Sequence, residues 1–196
     1  MRHFAFAALL LASSIGAHAQ TPAAAPAAPA LRAVGMQLSS PDFQDGGIIP
    51  DQFTGKVNVA GQPPKAVSPA LNWTGTPAGT QSFVLIMHDP DVMIGKSTGD
   101  NLHWLAFNIP GTATGMPQNV PTTATLPDGT IQPRNRTSFG YQGPGAPAPI
   151  YHHYTFSIWA LDTRLNLTET ASREDVMKAM DGHVLDKGFL VGRFHR

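Results

Sequence analysis

The chain has 196 residues, and its 13 Lys and Arg side chains are balanced by 13 Asp and Glu. Because this balance leaves no basic stripe, we expect no nucleic-acid partner. The sequence has no Cys, which excludes disulfides and a lipid anchor attached to a Cys after the signal. Its 19 Gly and 18 Pro indicate many turns and few long helices.

The first residues have the pattern of a secretory signal peptide. A basic start at Arg2 is followed by an apolar run from Phe4 to Ala12 and by the small-residue pattern at 17–19, so we expect cleavage after Ala19. The run is shorter than the roughly 18 apolar residues that a transmembrane anchor needs. We therefore expect a periplasmic or secreted protein. The expected organisation is a signal peptide at 1–19, a flexible Ala/Pro-rich segment at 20–36 and one domain at 37–196.

Several short runs in the domain predict strands, because they are β-branched or aromatic and are bounded by turn residues. They are Gly47 to Phe53, Ser82 to His88, His103 to Ile109, His153 to Leu161 and Phe189 to Phe194. One helix is predicted after Ser172, which is a suitable N-cap with Asp175 three positions later, and Gly182 is its expected stop.

Imidazoles and carboxylates concentrate at the ends of three of these strands. Asp89 and Asp91 follow the second strand, His103 begins the third, and His152 precedes the fourth. If the three strands are neighbours, these side chains meet at one edge of a sheet. Alternation along a strand sends the rings of His152 and the next residue, His153, to opposite faces.

Simpler interpretations stay open for the same residues. Asp-Pro-Asp commonly forms a turn in which the carboxylates bond their own backbone, and His103 fits an amphipathic strand end. Before the fourth strand, the turn at Gly143 and Pro144 has the composition of a rigid loop whose N–H groups could face an anion.

Six motifs follow one another along the chain: SPDFQDGGIIPDQFTG, SPALNWTGTPAGTQSFVLIMHDPD, NLHWLAFNIPG, NRTSFGYQGPGAPAP, HHYTFSIWALD and MDGHVLDKGFLVGRFHR. In this order they resemble the phosphatidylethanolamine-binding protein family, and most closely its bacterial branch, called Raf kinase inhibitor-like. The similarity runs from about Leu38 to Arg196.

The resemblance implies a mainly β domain of the α+β type, with a central β-sheet, a second smaller sheet and a few peripheral helices. It also implies a pocket at one end of the central sheet for phosphate, phosphorylethanolamine or similar small anions. The pocket residues that it implies are Asp89, Asp91, His103, Gly143, Pro144 and His152. In this arrangement Asp89 would orient an imidazole or accept a hydrogen bond from a ligand. We expect the nearby carboxylate charge to raise the pKa of the histidines.

The chain departs from the family pattern at two places near this pocket. Val92 and Met93 stand where the family usually has Ala-Pro after the Asp-Pro-Asp motif. His153 stands where the family usually has Arg, so we expect a fixed positive charge and its ion pair to be missing.

Three hypotheses about function follow. The first is an exported binding protein for a small anionic or phosphorylated ligand, with no cofactor, no metal and no turnover, which could also act on a partner protein or form a homodimer. The alternative is an enzyme in which Asp89 and Asp91, with His103 or His152, perform acid–base chemistry or bind a divalent metal. The third is an interaction protein whose pocket has lost its ligand. The sequence has no G-x-S-x-G and no H-E-x-x-H motif, which favours the first hypothesis.

Overall fold

Residues 35–56 and 66–196 are described by the computed structural model used here. They contain eight strands, one α-helix and a short 3-10 helix, Asp51–Phe53. The strands are β1 (Gln37–Ser39), β2 (Gly47–Ile48), β3 (Leu71–Thr74), β4 (Ser82–Asp89), β5 (Asn101–Pro110), β6 (Gly115–Met116), β7 (His152–Leu161) and β8 (Val184–Phe194), and the helix is α1 (Arg173–Met180). No helix among the described residues is long and apolar enough to cross a membrane.

The strands form two sheets. The larger has five strands in the order β2-β8-β7-β4-β5, and the smaller has three in the order β1-β3-β6. Only the β2–β8 pairing is parallel; the other pairings are antiparallel. This arrangement confirms the predicted mainly β fold with a central sheet and a second smaller one.

The predicted signal peptide lies outside the described residues, as does the Ala/Pro-rich segment up to residue 34. Met36, which we assigned to the end of that segment, is buried in the core. The backbone N–H of Gly35 donates hydrogen bonds to the carboxylate of Asp186. The packed part of the chain therefore includes the last two residues of the segment.

Two predicted strands differ from the structure by five residues at one end, and the other three by one or two residues. The run from Gly47 to Phe53 pairs only at Gly47–Ile48, because Pro50 has no N–H for a sheet ladder and a 3-10 turn follows it. The last strand begins at Val184, five residues earlier than predicted. The helix is as predicted, since Ser172 and Asp175 form a reciprocal capping box.

Both faces of the central sheet are covered. Side chains at the odd positions of β4, such as Phe83 and Met87, belong to one hydrophobic cluster with the even positions of β7. Val84 and Ile86 belong to a second cluster, which includes Val176 of α1. This double coverage explains why the run in β4 shows no polar alternation.

The pairing of β4 with β5 contains a bulge at the end where both strands carry polar residues. Met87 lies opposite Trp104, but the next residue, His88, lies opposite Leu102, so His103 is an extra residue in β5. Such a bulge breaks the alternation of a strand and redirects a side chain. Here His103 packs edge-on against Tyr154, on the same side of the sheet as Trp104.

Candidate functional site

A cavity of about 320 Å³ opens at the end of the central sheet where β4 ends and the neighbouring strands β5 and β7 begin. Antiparallel pairing brings these three points together although they are far apart in the chain. The lining residues are Asp89, Val92, Asn101, His103, Arg136, Gln142, Gly143, Gly145, Ala146, Pro147, His152, Tyr154 and Arg196.

Asp89 is held inside the wall of this cavity and is only 2% exposed. One carboxylate oxygen accepts a hydrogen bond from the backbone N–H of Asp91 at 3.0 Å, and the other lies 2.8 Å from Nδ1 of His152. Since a carboxylate accepts, Nδ1 of His152 carries the hydrogen. Asp89 thus orients the imidazole, and Nε2 of His152 has no hydrogen-bond partner among the described residues.

The tautomer of His103 is fixed by its two neighbours. Nδ1 lies 2.8 Å from the carbonyl oxygen of Gln142, which can only accept, so Nδ1 donates. Nε2 lies 2.7 Å from Nδ2 of Asn101 and accepts from that amide. With both nitrogens occupied, the ring is a neutral wall of the cavity.

The expected rise in histidine pKa does not occur at His103. Burial lowers its pKa below the usual 6.5, and this effect outweighs the hydrogen bond to Gln142 and the charge of Asp89, which act in the opposite direction. The prediction considered the nearby carboxylate but not the loss of water around the ring.

Tyr154 connects the sheet to the loop that closes the cavity. Its hydroxyl accepts hydrogen bonds from the backbone N–H groups of Gly145 and Ala146, at 3.3 and 3.2 Å. Burial, followed by the charge of Asp89, raises the pKa of Tyr154 to about 12. The hydroxyl therefore stays protonated and holds the loop. The N–H of Gly145, in the glycine-rich turn that we expected to face an anion, is occupied in this way.

Gly143 leaves its own N–H without a hydrogen-bond partner in the described part of the chain, and it lines the cavity. No side chain fits at this position, because a Cβ would lie 2.4 Å from Cβ of Ala66 and 2.8 Å from the backbone carbon of Thr54. The glycine therefore allows the loop to pack against the Thr54 backbone.

The structure does not place every implied site residue at the cavity. Asp89, His103, Gly143 and His152 line it together. Pro144 is buried behind the wall, and its carbonyl oxygen accepts a hydrogen bond from Gly55.

Asp91 lies at the rim, where it binds His153. The carboxylate of Asp91 accepts hydrogen bonds from the backbone N–H and from Nδ1 of His153, at 2.6 and 2.9 Å. Although partial burial acts to raise the pKa of Asp91, these contacts lower it on balance. The Asp91 carboxylate therefore keeps a hydrogen-bonding partner at this position, where the imidazole of His153 stands in place of the fixed positive charge of an Arg. As alternation predicted, His152 lines the cavity and His153 does not.

Sequence reasoning missed Arg136 and Arg196 as lining residues. Arg136 lies in the irregular stretch between β6 and β7, where no periodicity indicates direction, and it makes no ion pair with the described residues. Arg196 is held near the cavity because its backbone N–H donates to the carbonyl oxygen of Ala146 at 3.0 Å. Within ranges 35–56 and 66–196, no group of three or more His, Cys, Asp or Glu side chains could hold a metal ion.

Comparison with known proteins gives matches over nearly the whole domain. The family model "Phosphatidylethanolamine-binding protein" matches residues 39–195. A UPF0098 protein of Methanothermobacter thermautotrophicus is 41% identical over 162 residues, which are 82% of this chain and 99% of that protein. The UPF0098 protein YbhB of Escherichia coli is 36% identical over 70% of this chain and 85% of its own length.

Solved structures give the same result. A crystal structure of a phosphatidylethanolamine-binding protein homologue from Chlamydia trachomatis superposes with a TM-score of 0.70, at 28% identity, and covers 84% of this chain and 99% of that one. The structure of YbcL from E. coli, described as a member of the mammalian family, gives a TM-score of 0.67 at 26% identity, with 83% and 99% covered. Since the family model covers residues 39–195 and the relatives agree with it, the chain belongs to the phosphatidylethanolamine-binding protein family.

Proposed function

We propose that the protein is an exported binding protein whose cavity holds a small oxyanion, such as phosphate or the phosphate group of phosphorylethanolamine. The observation that carries the proposal is the balance of charge and hydrogen bonds in the lining. Two arginines and a histidine with a free Nε2 line the cavity with a single acidic side chain, that of Asp89, whose carboxylate is already bonded to its neighbours.

The guanidinium of Arg136 is the strongest element of this site. It presents several N–H donors in a plane that suits phosphate and carboxylate oxygens, and none of its donors is bonded to a described acidic side chain. Asp89 repels an anion less than its charge suggests, because His152 and the Asp91 N–H both bind its oxygens. The free N–H of Gly143 adds an uncharged donor.

Protonation of His152 would strengthen binding. In the neutral ring, Nδ1 carries the hydrogen and Nε2 accepts, so Nε2 can bind a protonated phosphate oxygen. In the cation, Nε2 donates to a charged oxygen. His103 acts differently, because its neutral ring only shapes the cavity.

The place of action is part of the proposal. The basic start, the apolar run and the small residues before Gln20 support export to the periplasm or the medium. Fractionation of the producing cells, with detection of a mature chain that begins at Gln20, tests this part. A full-length chain in the cytoplasmic fraction would contradict it.

Calorimetric titration with inorganic phosphate and with phosphorylethanolamine tests the binding site. We expect saturable binding that Arg136→Gln weakens by about tenfold, because one charge-assisted contact is lost. Arg134→Gln is the matched control, since Arg134 stacks on Phe139 and does not line the cavity. Equal affinity of the Arg136 and Arg134 variants, or no heat with either probe, would show that the cavity is not an oxyanion site.

A second candidate function, acid–base catalysis, is favoured by the same Asp89–His152 pair. A buried carboxylate that orients an imidazole and leaves Nε2 free is a suitable general base for activating water. Phosphorus NMR of phosphorylethanolamine incubated with the protein distinguishes the two functions. An unchanged ester signal supports binding alone, whereas inorganic phosphate that appears with the parent protein but not with His152→Asn supports hydrolysis.

A further inference from the structure

A second cavity adjoins the one at the end of the central sheet. It encloses about 450 Å³, against about 320 Å³ for the first cavity. Four residues line both cavities: Gln142, Gly143, Gly145 and Arg196. Two of them are glycines, so no side chain separates the cavities there. Volumes of this size are typical of pockets for organic ligands, and a phosphate ion in the first cavity would leave the second empty.

Neighbouring residues of one turn serve both cavities. Arg136 lines the first cavity, whereas Thr137 and Ser138 line the second. The buried amide of Asn135 holds this turn, because its Oδ1 accepts from the backbone N–H groups of Thr137 and Ser138 at 2.9 and 2.8 Å. Its Nδ2 donates to the carbonyl oxygen of His103 at 3.2 Å. The turn therefore places two hydroxyl groups next to the arginine that we assign to the oxyanion.

The hydroxyl groups of the second cavity are accessible to a ligand. That of Ser138 makes no hydrogen bond within the described residues and is not buried. Thr122 is exposed, and its hydroxyl is likewise unbonded there. The hydroxyl of Thr137 donates to Oδ1 of Asn135 at 3.3 Å and keeps its lone pairs as acceptors. Groups that both donate and accept suit the hydroxyl groups of a ligand.

The charges around the second cavity do not favour an ammonium group. Among the described residues, no acidic side chain lines it, and its charged side chain is the cation Arg196. The acid of the first cavity, Asp89, is already bonded to His152. An ammonium group would therefore meet a positive charge without a free carboxylate, whereas an uncharged hydroxylated group finds partners.

We propose that the ligand is a phosphate monoester of a small polyol, which rests on the proposed function of the first cavity. There the phosphate group binds Arg136, Nε2 of His152 and the N–H of Gly143. A monoester presents more unesterified oxygens to these donors than a diester does. The polyol lies in the second cavity, where its hydroxyl groups exchange hydrogen bonds with those of Ser138 and Thr122.

Calorimetric titration with inorganic phosphate, propyl phosphate, phosphorylethanolamine and glycerol 3-phosphate tests this proposal. Propyl phosphate is the matched control ligand, because it has the carbon chain of glycerol 3-phosphate without its free hydroxyl groups. We expect glycerol 3-phosphate to bind about tenfold more tightly than propyl phosphate, since the hydroxyl groups gain hydrogen bonds. Phosphorylethanolamine should bind no more tightly than propyl phosphate, because its ammonium group gains no partner.

Variants of the second cavity separate this proposal from the proposed function. Ser138→Ala should weaken the binding of glycerol 3-phosphate by about three- to fivefold. It should leave the binding of inorganic phosphate unchanged, because Ser138 does not line the first cavity. Ser39→Ala, at an exposed serine outside both cavities, is the matched control and should bind both probes as the parent does.

The two proposals fail in different ways. The polyol proposal alone is wrong if inorganic phosphate binds but glycerol 3-phosphate binds no more tightly than propyl phosphate. It is equally wrong if phosphorylethanolamine binds most tightly, or if Ser138→Ala binds glycerol 3-phosphate as Ser39→Ala does. If none of the four probes binds, the oxyanion site itself is contradicted, and the polyol proposal fails with it.

Discussion

Oδ2 of Asp89 lies 2.8 Å from Nδ1 of His152, although 63 positions separate the two residues in the chain. The contact joins the end of β4 to the start of β7 and is almost fully removed from water: the exposed fractions of the side chains are 3% for Asp89 and 16% for His152. A pair in this setting fixes the shape of the cavity, and its loss has consequences beyond ligand binding.

Replacing His152 by Ala should destabilise the protein strongly, by about 3–5 kcal/mol, because a buried carboxylate loses its partner. The neighbouring His153→Ala is the matched control. Its pair with Asp91 is about half exposed, with side chains 53% and 40% accessible, so its loss should cost about 0–1 kcal/mol. Urea unfolding measures both values. Equal losses in the two variants would contradict the special role of the buried pair.

The stability of the protein should decrease as the pH is lowered, over a range set by the pKa values of His103 in the unfolded and folded states. Because burial lowers its folded pKa below the usual 6.5, the unfolded chain takes up the proton first as pH decreases. The contribution of His103 to the free energy of unfolding is therefore fully present above pH 6.5. It is lost as the pH falls through the lower pKa of His103 in the folded state. His103→Gln should flatten this part of the profile.

The carboxylates Asp91 and Asp100 act in a separate, more acidic window. Burial tends to raise their pKa values, but hydrogen bonds from His153 and from Arg173 lower them on balance below 3.8. Their contribution to the free energy of unfolding is fully present above pH 3.8. It is lost as the pH falls through their lowered pKa values in the folded state. If His103→Gln leaves the slope of the profile unchanged within the His103 window, just below pH 6.5, the assigned state of His103 is wrong.

Tyr154 should hold the loop that closes the cavity proposed to bind an oxyanion. Tyr154→Phe removes the acceptor of the Gly145 and Ala146 N–H groups, and we expect a loss of about 1–3 kcal/mol with faster hydrogen exchange at these two amides. Tyr151→Phe, at an exposed ring outside the cavity, is the control. Ultraviolet titration should also show two late phenols: Tyr154, whose pKa is raised to about 12, and Tyr141, whose pKa burial raises well above 10. Unchanged exchange at both amides would mean that the loop is held by other contacts.

Two glycines of the same loop should respond differently to a methyl group. At Gly143 the new Cβ meets Cβ of Ala66 at 2.4 Å, so Gly143→Ala must displace the wall of the cavity and should lower both the melting temperature and phosphate affinity. A Cβ added at Gly145 would have Nη2 of Arg196 as its nearest atom, at 3.8 Å, which is an ordinary van der Waals contact. Gly145→Ala should behave like the parent in both assays. The reverse order would show that Gly143 is needed for another reason.

Much of this site was accessible from sequence because strand ends are easy to recognise. The apolar run of β4 and the aromatic run of β7 stop at Asp89 and His152, and antiparallel pairing alone brings these ends together. The capping box at Ser172 was equally clear, since both partners lie within one turn. These features depend on local pattern and on a simple rule of sheet topology.

Other features depend on contacts that no local pattern contains. The position of Arg136 follows from the path of an irregular segment, and the burial of His103 follows from the packing of Tyr154 and the Gln142 carbonyl around it. The resemblance indicated that His103 belongs to the pocket but not that its ring is neutral. Asp91 and Pro144 were assigned by motif, and the structure places them at the rim and behind the wall.

The extra residue in β5 determines which changes in chain length the pocket can tolerate. His103 takes its direction from the bulge opposite Met87 and His88, so we expect a change of length between Gly95 and Gly99 to leave the direction of the imidazole unchanged. Deleting the residue next to His103 in the bulge would instead restore regular alternation and turn the imidazole of His103 to the other face of the sheet. We expect such a deletion to keep the strands and to abolish binding at the proposed site.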